Sequence, residues 1–382
     1  PILPKRNNNE NLELNINVYQ LLSKLFYRFA NSTIMDDENR SVASSMISQN
    51  INMQQHINRH SGFNLNDNDY PDIRHDSGRV LTMDGIKELL SVLPPGIPEL
   101  HCYLLDKFTL IHFETAGNKL NKLTENGWLS FWAMFAIETP EMCAKQLTYL
   151  DLFTDTDRSK WFKKTQSKLI EKKQKKLSKT VVKVLLFGGQ ACGKTVLCDR
   201  LLCRVPSRKA IISTSGGNRL NYRNTTYFRH VVNRIGQSNE YYFLKITEVP
   251  AIPKLIEQAM DELLHVYDMI LIMYDSSYSR SFYELTKIFD RMPKDHELPV
   301  QIIKSKSDLP PVKQYNQDKK DELYDIPKWL ENNGLSSPVD IWLTSDKSAD
   351  FPALFDDLFF IASNPYLRRI KKNKNNNNRQ FW

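Results

Sequence analysis

The stretch VVKVLLFGGQACGKTVLCDRLL, Val181 to Leu202, decides the fold. An apolar run of strand length (181–187) enters a glycine-rich turn, and a helix-like segment with Val196, Leu197, Leu201 and Leu202 leaves it. The turn, Gly188-Gly189-Gln190-Ala191-Cys192-Gly193-Lys194-Thr195, fits G-x-x-x-x-G-K-[ST]. That pattern serves phosphate: glycines let backbone N–H groups curl around a β-phosphate beside a helix N-terminus whose dipole favours anions. Lys194 supplies a point charge toward the β- and γ-phosphates, and the Thr195 hydroxyl completes a magnesium shell.

Outward from this turn, strand-like runs alternate with amphipathic helices over 181–366, the mark of a parallel α/β sheet. Further strands are expected at DMILIMYD (268–275), PVQIIK (299–304) and VDIWLT (339–344), with TTYFRHVV and EYYFLKI as an antiparallel hairpin at the sheet edge. After PVQIIK comes Ser305-Lys306-Ser307-Asp308-Leu309, similar to an N/T-K-x-D motif. A carboxylate at Asp308 can accept from guanine N1 and N2, which adenine cannot match, and the Lys306 stem would lie over the ring. Leaving such a buried acceptor unpaired makes the wrong base costly. Ser305 departs from the usual Asn, and Ser345 in Thr344-Ser345-Asp346-Lys347 sits where a third base-contacting loop is expected.

The D-x-x-G-Q element that normally serves magnesium, the γ-phosphate and the attacking water is missing. In its place stands Thr247-Glu248-Val249-Pro250-Ala251, so either Glu248 takes part of the task or hydrolysis is slow. Thr214, Thr225 and Thr226 are the candidates for a mobile threonine that closes on the nucleotide.

Upstream, Val18, Leu21, Leu22, Leu25, Phe26 and Phe29 repeat at helical spacing, and an Asn/Ser/Asp-rich stretch of about 30–79 reads as a disordered insertion. A short helix is expected from Leu81, Ile86, Leu89, Leu90 and Leu93. Another follows with Thr124 as N-cap and Trp128, Trp132, Met134 and Phe135 on its buried face, packed on a helix over 141–153. A basic run, Arg158–Lys179, forms a linker, and the Asn-rich end, about 367–382, reads as disordered.

The net charge of +8 comes largely from this linker and from Arg368–Lys374. No aromatic RNA-binding signature accompanies it, so no nucleic-acid partner is expected. The five cysteines form no CxxC pair, which reads as reduced thiols without a zinc site. No apolar run reaches the roughly 18 residues of a membrane helix. The chain begins at Pro1, as a piece of a longer protein would.

With these residues in view, the chain resembles the mitochondrial Rho GTPase family, also called Miro or Gem. Three blocks carry the resemblance: LTENGWLSFWAMFAIETPEMCAKQLTYLDLF (123–153), the glycine-rich loop with its flanks (181–202), and MYDSSYSRSFYEL (273–285) together with KSKSDL (304–309). The resemblance implies an α/β Ras-like P-loop GTPase domain (181–366) preceded by an all-α EF-hand-like domain (1–157). That preceding domain would be a degenerate EF-hand plus a hidden ligand-mimic EF-hand, with the basic linker at 158–180. It implies phosphate contacts from Gly188, Gly189, Cys192, Gly193, Lys194, Thr195 and Val196, with Thr195 on magnesium. Base contacts would come from Lys306 and Asp308, and Lys194 and Thr195 would assist GTP hydrolysis; Ser345 is a base-loop candidate by position only, its segment reading equally as a plain polar turn.

The resemblance further implies GTP/GDP and Mg2+ as ligands and mitochondrial transport or membrane-contact proteins as partners. The location would be the cytosolic face of the outer membrane, by an anchor beyond this piece. Calcium carries over badly, because Gly85 falls where the bidentate Glu of a calcium loop is expected and Asp36, Asp37, Asp72, Asp76 and Asp84 fit no ligand spacing. Two other readings compete: a guanine-nucleotide scaffold without turnover, and an adenine-nucleotide P-loop enzyme.

Overall fold

A computed structural model of the chain describes residues 12–32, 79–82, 85, 111–112, 122–150, 158–166, 171, 179–202, 228–235, 240–293, 298–316, 322–342 and 351–364. Most of the insertion, the helix expected at 86–93, Thr214, Thr225, Thr226, Ser345 and the C-terminal tail lie outside the described residues.

Before the glycine-rich loop come β1 (Leu12–Leu14), α1 (Ile16–Phe29), β2 (Asn31–Ser32), β3 (Arg79–Thr82), β4 (Ile111–His112) and β5 (Lys122–Leu123). They are followed by α2 (Glu125–Glu138), α3 (Pro140–Tyr149) and β6 (Phe162–Lys164). This region therefore carries short strands as well as helices. β2 pairs antiparallel with β3, Asn31 opposite Val80, so the two ends of the inserted stretch emerge side by side. β3 in turn pairs with β5, Leu81 opposite Leu123.

That pairing exposes an internal repeat, Leu81-Thr82-Met83-Asp84-Gly85 against Leu123-Thr124-Glu125-Asn126-Gly127. In both copies the threonine hydroxyl accepts from the glycine N–H three residues on, at 3.1 Å, and in the second copy that bond is the N-cap of α2. In the first copy glycine suits a close approach: a Cβ on Gly85 would meet Phe29 O at 3.2 Å.

α2 is apolar all round because it is enclosed all round. Trp128, Trp132, Met134 and Phe135 are buried as expected, and so are Leu129, Phe131, Ala133 and Ala136. α1 supplies Val18, Leu22 and Phe26 on one side, with the Trp128 indole N–H donating to Leu22 O at 3.0 Å, and Val231 of the large sheet shares the same core.

The second half contains β7 (Val181–Gly188), α4 (Lys194–Leu201), β8 (Phe228–Ile235), β9 (Tyr241–Glu248), α5 (Pro253–Leu263) and β10 (Met269–Asp275). It continues with α6 (Ser281–Asp290), β11 (Val300–Ser305), the short pair β12 (Tyr315–Asn316) and β13 (Glu322–Leu323), α7 (Ile326–Asn332), β14 (Val339–Asp340) and α8 (Phe351–Ser363). The sheet order is β14-β11-β10-β7-β9-β8-β4. β8 is antiparallel to β9, and β4 lies parallel to β8, so the expected hairpin is one strand in from the edge, with β4 covering backbone groups β8 would otherwise leave open. Of the run 339–344, the described residues 339–342 form strand at Val339–Asp340, and 343–344 lie outside the described residues.

Period-2 alternation sorts the sheet into two apolar faces. Val184, Leu186, Leu271 and Met273 pack under α4 and α8, while Leu185, Phe187, Ile270 and Ile272 pack under α5, α6 and α7. Burial on both faces is why these strands read as unbroken apolar runs. Among the described residues no helix is long and apolar enough to cross a membrane.

The two halves share buried surface. Tyr19 of α1 lies against Tyr241 and Phe243 at ring distances of 5.3 and 5.2 Å, and Glu138 of α2 pairs with Lys245 of β9 at 3.1 Å. Glu13 accepts from the N–H and hydroxyl of Thr180, at 2.8 and 2.7 Å, and from Val181 N–H at 3.2 Å, fixing where β7 begins. Burial pushes the Glu13 carboxyl above its ordinary value, and these donors pull it part of the way back.

Candidate phosphate and base site

The loop between β7 and α4 sits at the C-terminal edge of the parallel strands, the usual ligand position in such sheets. Its shape needs glycine at two points. Gly193 has φ of 99°, and a Cβ at Gly188 would stand 2.5 Å from Met273 O and 2.7 Å from Cys192 Sγ. Ala191 also takes a positive φ, 59°, which bends the loop between them. The buried Lys194 ammonium donates to Gly188 O and Gly189 O, both at 2.9 Å, so its charge is held at the mouth of the loop. Val196 is half-buried in the first turn of α4. Cys192 is a buried thiol whose pKa burial raises, so it is packing rather than a nucleophile.

The Thr195 hydroxyl donates to Glu248 Oε1 at 2.8 Å. Glu248 is the last residue of β9, next to β7 in the sheet, and it is buried. A hydroxyl and a carboxylate oxygen in contact beside a phosphate loop are the hard donors a magnesium ion takes, so the residues present fit that ion. After Glu248 the chain offers Val249, whose N–H is spent on Leu186 O at 2.9 Å, and then Pro250, Ala251 and Ile252. Ala251 and Ile252 are exposed and carry no polar side chain with which to orient water.

Ser305 does the work that its departure from Asn put in question. Its fully buried hydroxyl sits 2.7 Å from Cys192 O and 3.0 Å from Tyr274 O, sharing one proton between the phosphate loop and β10. The base-motif loop is thereby fastened to the phosphate loop. Ser276 adds a second fastening, with its hydroxyl between Ser305 O and Lys306 O at 3.0 and 3.1 Å.

Lys306 takes a positive φ of 55° and its ammonium pairs with Asp275, whose other oxygen accepts from Ser277 N–H and hydroxyl at 2.8 and 2.6 Å. The Lys306 stem therefore lies across the ends of β10 and β11, while Asp308 stands exposed beyond it. Ser307 N–H donates to Ile341 O at 3.1 Å, which brings the strand leading toward 344–347 beside this loop. Ser345 itself lies outside the described residues.

The structure thus gathers Gly188, Gly189, Cys192, Gly193, Lys194, Thr195 and Val196 at one loop and the start of α4, and through Ser305 fastens the segment that carries Lys306 to it, while Asp308 stands exposed. Asp275 is a contributor that motif reading missed, although it ends the most apolar strand of the chain, a signal in itself. Glu284 of α6, whose carboxylate lies against Gly189, has no signal in sequence at all.

A mixed, mostly parallel sheet with helices on both faces, and this loop at its edge, fits a P-loop domain of the GTPase kind. The chain is similar in sequence to curated mitochondrial Rho GTPases. It is 25% identical to mitochondrial Rho GTPase 1 of Schizosaccharomyces pombe over 278 residues, which is 68% of this chain and 39% of that protein. It is 26% identical to mitochondrial Rho GTPase 1 of Saccharomyces cerevisiae over 267 residues, 67% of this chain and 37% of the relative. For mitochondrial Rho GTPase 1 of Arabidopsis thaliana the figures are 23% over 264 residues, 67% and 37%. The matched part thus spans under two fifths of each relative's length. No family profile matches the chain.

Proposed function

We propose that residues 181–366 bind guanine nucleotide with magnesium, as the switch or scaffold domain of a mitochondrial Rho GTPase-like protein. The observation that carries this reading is the bond between Thr195 and Glu248 beside the Lys194 loop. Glu248, one methylene longer than the Asp of D-x-x-G, ends β9 in contact with Thr195, which supports a part for it in a magnesium shell. On binding, Lys194 leaves the Gly188 and Gly189 carbonyls for the β- and γ-phosphates, while loop N–H groups hold the β-phosphate. Thr195 would ligate the magnesium ion, with Glu248 braced behind it, and the ion when bound neutralises charge on the phosphates. Asp308 accepts from the guanine edge and the Lys306 stem covers its face.

Hydrolysis of GTP to GDP and phosphate is slow in this reading, because Ala251 and Ile252 occupy the stretch that elsewhere orients the attacking water. The names of the similar proteins support a mitochondrial setting. There we assign regulation of mitochondrial distribution, inheritance and morphology, at the cytosolic face of the outer membrane, through transport or membrane-contact proteins. The paired Thr-capped units of the first half are read as an EF-hand-like pair. Gly85 stands at the expected bidentate position, and a Cβ there meets Leu81 Cδ1 at 3.1 Å as well as Phe29 O, so a calcium ligand does not fit and the role of the pair is structural.

Calorimetry with GDP and GTP in the presence of magnesium tests the reading, with Lys194→Ala as the silent control. Binding of mant-GDP but not mant-ADP, lost in Asp308→Asn, supports the guanine assignment; equal binding of both refutes it. A second reading, a nucleotide holder without turnover, is favoured by Ala251 and Ile252, and single-turnover hydrolysis separates the two.

A further inference from the structure

Glu284 sits in the first turn of α6 and directs its carboxylate at the phosphate loop. A Cβ on Gly189 would overlap Glu284 Oε2, so only glycine at 189 lets this carboxylate lie on the loop. Gly189 O is also one of the two carbonyls that hold the Lys194 ammonium. Glu284, Gly189 and Lys194 therefore form one contiguous group, an anionic side chain on one side of the loop and its cation on the other. Burial raises the Glu284 pKa, and the Lys194 charge opposes that rise, so the two feel each other across the loop.

We propose that Glu284 sets the number of phosphates this site prefers: its charge, held against Gly189, weighs against a nucleoside triphosphate and leaves the site favouring a diphosphate. The proposal rests on the nucleotide reading above and adds a specificity residue to it. Any ligand that Lys194 grips lies within the field of Glu284, and each added phosphate brings more negative charge into that field. One further charge about 8 Å from a carboxylate, at an effective dielectric of about 30, is disfavoured about tenfold. Lys194 faces Glu284 from α4. Arg280, the N-cap residue of α6, precedes it by four residues, and Lys287 of α6 follows by three, placed over the Tyr283 ring at 5.2 Å.

The test is calorimetry of GDP and a non-hydrolysable GTP analogue with magnesium, for the wild-type chain and Glu284→Gln. The ratio of triphosphate to diphosphate Kd should fall about tenfold in the variant. In the wild type it should also fall as pH is lowered through the Glu284 pKa, which burial raises, since protonating Glu284 removes the same charge. Whatever pH dependence survives in Glu284→Gln belongs to the nucleotide. An unchanged ratio in the variant, with both nucleotides still bound, overturns the proposal. So does a wild-type ratio that follows pH as the variant does, a comparison of ratios that does not depend on equal stability. Absence of binding by the wild type overturns the nucleotide reading itself, and is told apart by the lack of heat with either ligand.

Discussion

Replacing Ser305 with alanine removes one hydroxyl and tests whether the two nucleotide loops act as a unit. The group is fully buried, and its proton is shared between Cys192 O at 2.7 Å and Tyr274 O at 3.0 Å. Alanine leaves no cavity worth the name, so the cost is that of buried carbonyls losing a donor, about 1–3 kcal/mol. Cys192 O belongs to the phosphate loop and makes the shorter contact, so about half or more of the loss should fall on that loop. A local loss of about 1.4 kcal/mol weakens binding about tenfold. Urea unfolding followed by tryptophan fluorescence reads the first quantity, and GDP calorimetry with magnesium reads the second. Lower stability with a GDP Kd changed less than about twofold would show that the hydroxyl only knits the sheet. The coupling between the loops would then be refuted.

Three further outcomes are expected. Gly188→Ala should lower stability by about 2–4 kcal/mol, because its Cβ would stand 2.5 Å from the β10 backbone at Met273 O, and overpacking of this kind is costly; an unchanged melting temperature contradicts the loop geometry. Lys179→Met should cost about 3–5 kcal/mol in urea unfolding by removing the cation paired with the buried Asp268 at 2.8 Å and lying 3.9 Å from Glu171. Burial alone would push the Lys179 ammonium down, but Asp268, Glu171 and Glu13 outweigh it and raise the pKa. Its contribution is therefore complete below its unfolded pKa of about 10.4 and is lost as pH rises through the raised value, a loss the variant should not show. Glu248→Gln keeps an acceptor for Thr195 but removes the charge, so the magnesium concentration that half-saturates GDP binding should rise about 10- to 100-fold; an unchanged value removes Glu248 from the metal site.

What the sequence could and could not reveal follows from the range of the contacts. The glycine loop, the strands on either side of it and α2 are local patterns, and Trp128, Trp132, Met134 and Phe135 are buried as their spacing requires. Ser305 read as a defect because a motif compares residue types, whereas the bond to Cys192 needs only a hydroxyl at the right place across 113 residues. Gly85 looked like a missing ligand. Only the pairing of Leu81 with Leu123 identifies it as half of a repeated, Thr-capped turn. Glu284 could not be found at all, because its meeting with Gly189 depends on how α6 lies over the sheet rather than on any spacing.

Strand β9 explains how Glu248 comes to lie against Thr195. Its side chains alternate: Tyr241, Phe243 and Lys245 meet α1 and α2, while Tyr242, Leu244 and Ile246 face the core under α4 and α8, and Glu248 ends that same row on Thr195. A slip of one residue would reverse every one of these placements, sending Lys245 away from Glu138 and Glu248 away from Thr195. The register is held on both flanks, by β7 with Val184 opposite Ile246 and by β8 with Val231 opposite Lys245. The same packing that joins the first half of the chain to the sheet therefore fixes the carboxylate beside the phosphate loop.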